Sequence, residues 1–148
     1  MLKAKIEEQI KEALKSGDSI RLSVLRFLLS AIKNEEIAKQ KEADDEDVVA
    51  VVQRQIKQRK ESIESYRKAG RKDLAQKEEA ELTILNTFLP QQLSEDEVKK
   101  IVEEIRSELS ETEKNNFGKV MSAVMGRVKG KADGNIVAKI VKESLSQD

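Results

Sequence analysis

The residues of this chain best suited to chemistry sit close together near its end, in KGKADG from Lys129 to Gly134. Two lysines can meet phosphate oxygens as point charges, and a glycine lets backbone approach an anion closely. The same six residues also read as a corner between helices, with Gly130 supplying the left-handed residue that ends one and Asp133 capping the next. A Walker A loop is excluded, because Gly126, Gly130 and Gly134 lack its spacing and no strand precedes them. The lysines are what a corner does not account for. From Lys114 to Lys142 seven bases stand against Asp133 and the adjacent Glu143, whereas from Glu95 to Glu113 eight acids stand against three bases. Charge runs are usually solvated faces, and Arg127 and Lys129 suit the negative end of a helix dipole. A basic corner beside a helix N-terminus is nonetheless a fair phosphate site.

A second basic run extends from Arg54 through Arg59 and Lys60 to Arg67, Lys68, Arg71 and Lys72, offset by Glu61 and Glu64. It lacks the interleaved aromatics of a base-stacking surface, so it reads as the polar outer face of a helix. Over the whole chain, 28 basic and 28 acidic side chains give a net charge of zero, so no overall field draws in DNA or a membrane. The chain has neither histidine nor cysteine. Triads built on those residues and thiolate metal sites are therefore excluded, and no catalytic residue, metal or cofactor is expected. No apolar run approaches the roughly 20 residues of a membrane span, and the first residues carry acids among their bases with no apolar core of a leader. On these grounds the expected address is the cytoplasm.

The elements that must position these residues are helices throughout. Leu2, Ile6, Ile10, Ala13 and Leu14 recur at helical spacing, Gly17 ends that segment and Asp18 caps the next. From Ser19 to Gln40, Ile20, Val24, Phe27, Leu28, Ala31 and Ile32 form one apolar face, widened by Leu22, Leu25 and Leu29. A helix apolar on more than one side belongs at the centre of a bundle. The acids Asp44 to Asp47 suit a helix start, and Val48, Val52, Ile56, Ile63 and Tyr66 follow as a thin stripe. The β-branched run Val48–Val52 is no strand, since it has no partner in the chain and its spacing continues helically. After Gly70, Asp73 caps a fourth helix carrying Leu74, Leu82, Leu85, Phe88 and Leu89, which Pro90 stops.

Ser94 and Glu97 then stand at capping-box spacing ahead of Val98, Ile101, Val102, Ile105 and Leu109. Two further helices follow. One carries Phe117, Val120, Met121, Val124, Met125 and Val128, the other Ile136, Val137, Ile140, Val141 and Leu145, all directed inward. The expected fold is all-α and multihelical. It comprises an amino-terminal domain of about four helices over residues 1–90 and a small three-helix domain over residues 94–148.

The run FLPQQLSEDEV, followed by GKVMSAVMGRVKGKADGNIVAKIVKESL, resembles the GatB/YqeY family. That family comprises free-standing YqeY-like proteins and the tail of the B subunit of bacterial aspartyl/glutamyl-tRNA amidotransferase. The specific marks are L-P-x-Q-L-S from Leu89 to Ser94, G-K-V-M from Gly118 to Met121, and KGKADG itself. DSIRLSVLRFLLSAIKNEEI extends the likeness to the amino-terminal half. The resemblance implies a larger helical domain and a small three-helix one. It also implies a tRNA-contacting appendage without the domains that make or transfer ammonia.

The expectation that follows is a non-catalytic module binding tRNA or another structured RNA, beside an amidotransferase or the translation machinery. Its phosphate contacts would be Lys119, Arg127, Lys129 and Lys131, with Gly130 admitting a close approach of the backbone. The alternative is a protein-interaction adaptor whose partner meets the acidic helix from Glu95 to Glu113. An enzyme working with carboxylates and lysines alone has no constellation to point to. A label of carbon–nitrogen ligase with glutamine as amido donor would be inherited from the fused relatives.

Overall fold

Local stops and starts in the sequence set the boundaries of seven helices. The computed structural model describes residues 1–147. The helices are α1 (Leu2–Ser16), α2 (Ser19–Lys39), α3 (Asp45–Lys68), α4 (Lys72–Asn86), α5 (Glu95–Glu108), α6 (Phe117–Val128) and α7 (Gly134–Ser146). Gly17 closes α1 at φ 75°, a conformation that costs any residue with a Cβ. Asp18 then accepts the Arg21 N–H at 3.1 Å, so one corner ends a helix and begins another. Asp44 and Asp47 exchange side-chain and backbone bonds in a full capping box at the head of α3. At α5, Ser94 Oγ accepts the Glu97 N–H at 3.1 Å.

The chain folds as two compact units, Met1–Leu89 and the part from Pro90 onward. In the first, α1 packs along α2 and α3 along α4. Ile6, Val24, Leu25, Leu28, Ile32, Val48, Val52, Ile56, Leu85 and Phe88 fill its core. Val48, Val51 and Val52 are buried in the first turns of α3, so the β-branched run is helical and central. In the second unit α5, α6 and α7 each contact the other two. Its core is built largely of valine: Val98, Val102, Val120, Val124, Val128, Val137 and Val141, with Ile105 and Ile140.

Several inward assignments are corrected by the structure. Ile20 and Phe27 on α2, Leu14 on α1, and Phe117 and Ile136 in the second unit are substantially exposed. The apolar arc of α2 is wider than its neighbours can cover, and Leu25 takes a place in the core that periodicity also offered to Phe27. The fourth helix ends at Asn86, earlier than Pro90 would require. Phe88 closes the core from a turn instead, with its N–H bonded to Leu85 O at 3.1 Å. Asp73 is not the cap of α4; Arg71 holds that position without a side-chain bond, and Asp73 lies in the first turn.

Candidate nucleic-acid interface

The KGKADG stretch is a helix corner. Gly130 takes φ 72°, and the Lys131 N–H bonds back to Val128 O at 2.7 Å. Asp133 caps α7 through the Asn135 N–H at 2.7 Å. A carboxylate therefore already sits at the positive end of α7, where an anion would otherwise be drawn. At α6 the same position is taken by Asn116 Oδ1, which accepts from Lys119 N at 3.1 Å. The corner is braced from the start of the unit. Leu93 N–H donates to Lys131 O at 2.8 Å, and Gln92 Nε2 donates to Gly130 O at 2.9 Å. Two stretches far apart in sequence, FLPQQLS and KGKADG, thus share one hydrogen-bonded corner. Gly130 serves it through its φ and its carbonyl.

The candidate contacts separate into two kinds. Lys119, Lys129 and Lys131 are exposed, and none has a side-chain ion pair among the described residues. Arg127 is committed elsewhere: its guanidinium meets Glu104 at 3.0 Å and Glu108 at 3.3 Å on α5. The acidic and basic runs of the sequence thus touch through Arg127 and through Lys114, which meets Glu111 at 3.0 Å, whereas the lysines of α6 and the corner, like Lys139 of α7, remain exposed charge.

Between Lys119 and Lys129 the outer face of α6 carries almost no side chain. Gly118, Ser122 and Gly126 recur every fourth residue and are all exposed. Lys119, Ser122, Gly126 and Lys129 follow one another at three, four and three residues, so the lysines bracket that face about 15 Å apart along the axis. Gly126 has no structural reason to be glycine: its φ is ordinary, and a Cβ there would meet nothing within 4 Å. A glycine inside a helix costs roughly 0.5–1 kcal/mol relative to alanine. At the other end of the face, Lys142 Nζ lies 5.9 Å from the centre of the Phe117 ring, a cation–π contact beside an exposed aromatic.

Sequence reasoning missed the arginine that organises this unit. Arg106 is buried on α5 and donates to Lys114 O at 3.0 Å, Ser144 O at 3.1 Å, Ser144 Oγ at 2.9 Å and Asn115 Oδ1 at 3.0 Å. It ties α5 to α7 and to the connector before α6. The available signal was its place four residues after Val102, on the edge of the apolar stripe.

The amino-terminal unit treats its charges differently. Arg59 meets Glu78 at 3.1 Å and also Glu81, and Arg67 meets Glu79, so two arginines of the basic run of α3 are answered by α4. Lys3 reaches Glu36 at 2.9 Å and Lys39 reaches Asp47 at 2.8 Å. Asp47 is held below the usual carboxylate range by the Lys39 ammonium and then by the Asp44 N–H. Glu36 is lowered first by the Ala43 N–H and then by Lys3. The two carboxylates close the connector between α2 and α3, and their lysine partners are held above the usual lysine value by the same bonds. Among the described residues no helix is long and apolar enough to cross a membrane.

The sequence pattern of the family described as "Yqey-like protein" matches residues 3–145. Several curated fungal relatives carry the name "Altered inheritance of mitochondria protein 41, mitochondrial". That of Vanderwaltozyma polyspora is 34% identical over 144 residues, covering 95% of this chain and 74% of the relative. That of Pyrenophora tritici-repentis is 30% identical over 142 residues, covering 94% and 78%. The Kluyveromyces lactis protein is 36% identical over 126 residues, covering 79% and 68%. These names correct the cytoplasmic expectation, because these three relatives are named as mitochondrial proteins. Composition and the lack of a long apolar run cannot tell one aqueous compartment from another, since an organelle address is carried by segments outside the fold.

Proposed function

The chain belongs to the YqeY-like family, and from that premise we propose that it is a non-catalytic module that binds structured RNA, tRNA foremost, through its carboxy-terminal unit. Lys119, Lys129 and Lys131 meet phosphates, and the face lined by Gly118, Ser122 and Gly126 admits the sugar–phosphate backbone between them. The observation that carries this reading is a lysine at each end of a helix face stripped of side chains, with Gly126 kept at a cost that no packing explains. Structured RNA suits such a face, because its shape and phosphates are presented more openly than its base edges. Arg127 acts indirectly, holding α6 against α5. The resemblance to the amidotransferase tail supports an appendage working beside that enzyme or the translation machinery, and the relatives' names support a mitochondrial setting.

The adaptor alternative rests on α5. Glu104 and Glu108 there already pair with Arg127, and Glu103 accepts from Ser144 Oγ at 2.9 Å, which reduces the acidity left for a partner.

Titration with tRNA at several salt concentrations tests the RNA reading. Changing Lys119, Lys129 and Lys131 together to Gln should leave the melting transition in place, since all three are exposed. The slope of log affinity against log salt should lose about 0.7–0.9 for each phosphate contact, or roughly 2–2.7 in all. An unchanged affinity and slope would overturn the proposal.

A further inference from the structure

One side of α2 carries large apolar side chains that the fold leaves in water. Ile20, Phe27 and Ile37 are 48%, 60% and 75% exposed. A single exposed apolar residue is ordinary, but these three fall within one arc of about 100° on one helix, with Phe27 between the two isoleucines. Ser23 and Ser30, four and three residues from Phe27, are exposed within the same arc and keep its middle low. Along its edge stand Arg26 and Lys33, two turns apart, both exposed and neither in an ion pair among the described residues. The carboxylates of α2 are already taken. Glu35 meets Lys39 at 3.4 Å and Arg54 at 3.8 Å, while Glu36 meets Lys3 at 2.9 Å and accepts the Ala43 N–H at 2.8 Å. The helix thus presents an apolar ridge and a basic ridge with a seam of small hydroxyls between them.

We propose that this side of α2 docks an acidic amphipathic helix of a partner protein. Ile20 to Ile37 spans about 25 Å, the length of a helix of roughly 18 residues, and apolar anchors three, four and seven residues apart on such a helix meet the ridge of Ile20 and Phe27. Carboxylates along its flank then face Arg26 and Lys33, so charge sets the orientation and burial of the phenyl ring supplies the affinity. The shape of the surface favours this occupant over two others. A flat bilayer would leave the serine seam unfilled, and a nucleic acid could stack on Phe27 but would leave Ile20 and Ile37 in water. The dock lies in the unit that the RNA reading does not use, so each can fail without the other.

Amide-resolved NMR titrations of the full chain test this with two synthetic helical peptides of about 18 residues. Both carry leucines along one side; one is flanked by glutamates, the other by lysines at the same places. The acidic peptide should shift amides along Ile20 to Ile37, and the basic one should bind at least about tenfold more weakly. Phe27→Ala should weaken the acidic peptide about tenfold and leave the melting transition in place, since the ring is in water. Arg26→Glu combined with Lys33→Glu should reverse the preference, so that the basic peptide now binds the tighter. The variant lacking Lys119, Lys129 and Lys131 should bind the acidic peptide as the parent protein does, which separates this test from the tRNA titration. Equal binding of the two peptides, or an unaffected Phe27→Ala protein, would overturn the proposal. So would shifts along α2 produced by tRNA or by phosphatidylserine vesicles where the acidic peptide produces none. Broadening of these same amides as the protein alone is concentrated would assign the face to a second copy of the chain and overturn it as well.

Discussion

The two units hold similar kinds of charge and use them in opposite ways. In the amino-terminal unit Arg59 and Arg67 of α3 find carboxylates on α4, Lys3 of α1 finds Glu36 and Lys39 of α2 finds Asp47. On α6 and its corner, Lys119, Lys129 and Lys131 have no such partners among the described residues. A basic run satisfied within the molecule shapes the fold, whereas one left in solvent beside bare helix surface remains available to an external anion. The two basic clusters look alike in sequence, and their difference lies in what faces them.

The largest expected effect sets Arg59 against Lys119. Truncating Arg59 to Ala leaves Glu81, itself largely buried, without its cation, and should cost on the order of 2 kcal/mol in a denaturant titration. Lys119→Ala should stay within about 0.5 kcal/mol, because nothing in the fold depends on it. Equal losses at the two positions would erase the distinction between a structural charge and a free one.

A smaller effect, of opposite sign in the two units, is expected at glycines. Gly70 holds φ 72° at the corner after α3, so Gly70→Ala should destabilise by about 1 kcal/mol. Gly126→Ala should instead stabilise by roughly 0.5–1 kcal/mol, since the space is open and the conformation ordinary. The same variant should weaken tRNA, because a methyl group now stands on the bare face. A Gly126→Ala protein that is less stable would show that the fold, not a partner, requires that glycine.

The smallest effect is a tilt in the acid limb. Asp47 and Glu36 have carboxyls held below their ordinary values in the folded state. Their contribution is therefore complete above about pH 4, where the unfolded groups titrate, and is lost as pH falls through the lowered folded values. Asp47→Asn combined with Glu36→Gln should lower stability at neutral pH and flatten its decline below about pH 4. The decline is followed by thermal melts in acid, and an unaltered slope would remove these pairs from the account of the connector.

Helix starts and stops were legible from the chain alone, because a cap is satisfied within three or four residues of itself. Gly17, Asp18, Asp44, Ser94, Gly130 and Asp133 all perform the local task that their type and spacing suggest. The number and order of the helices and their all-α character followed from that local chemistry together with the apolar period. The dual use of KGKADG was half legible. Its turn could be read, but the hold of Gln92 and Leu93 on it spans nearly 40 residues and leaves no local trace.

What the sequence determined by itself was therefore most of what a few neighbouring residues can decide: where the helices other than α4 begin and end, and which arc of each is apolar. Only the tertiary structure decided which part of a wide arc is covered and which charges meet. Leu25 is buried and Phe27 exposed on one helix, Arg127 is paired and Lys129 free on one corner, and Arg106 is drawn inside to join α5 and α7. Helical period specifies a direction around an axis to within a broad stripe. The element lying in that direction, and the groups it brings, depend on how distant segments pack, and that choice is what separates the charges spent on folding from those left for a partner.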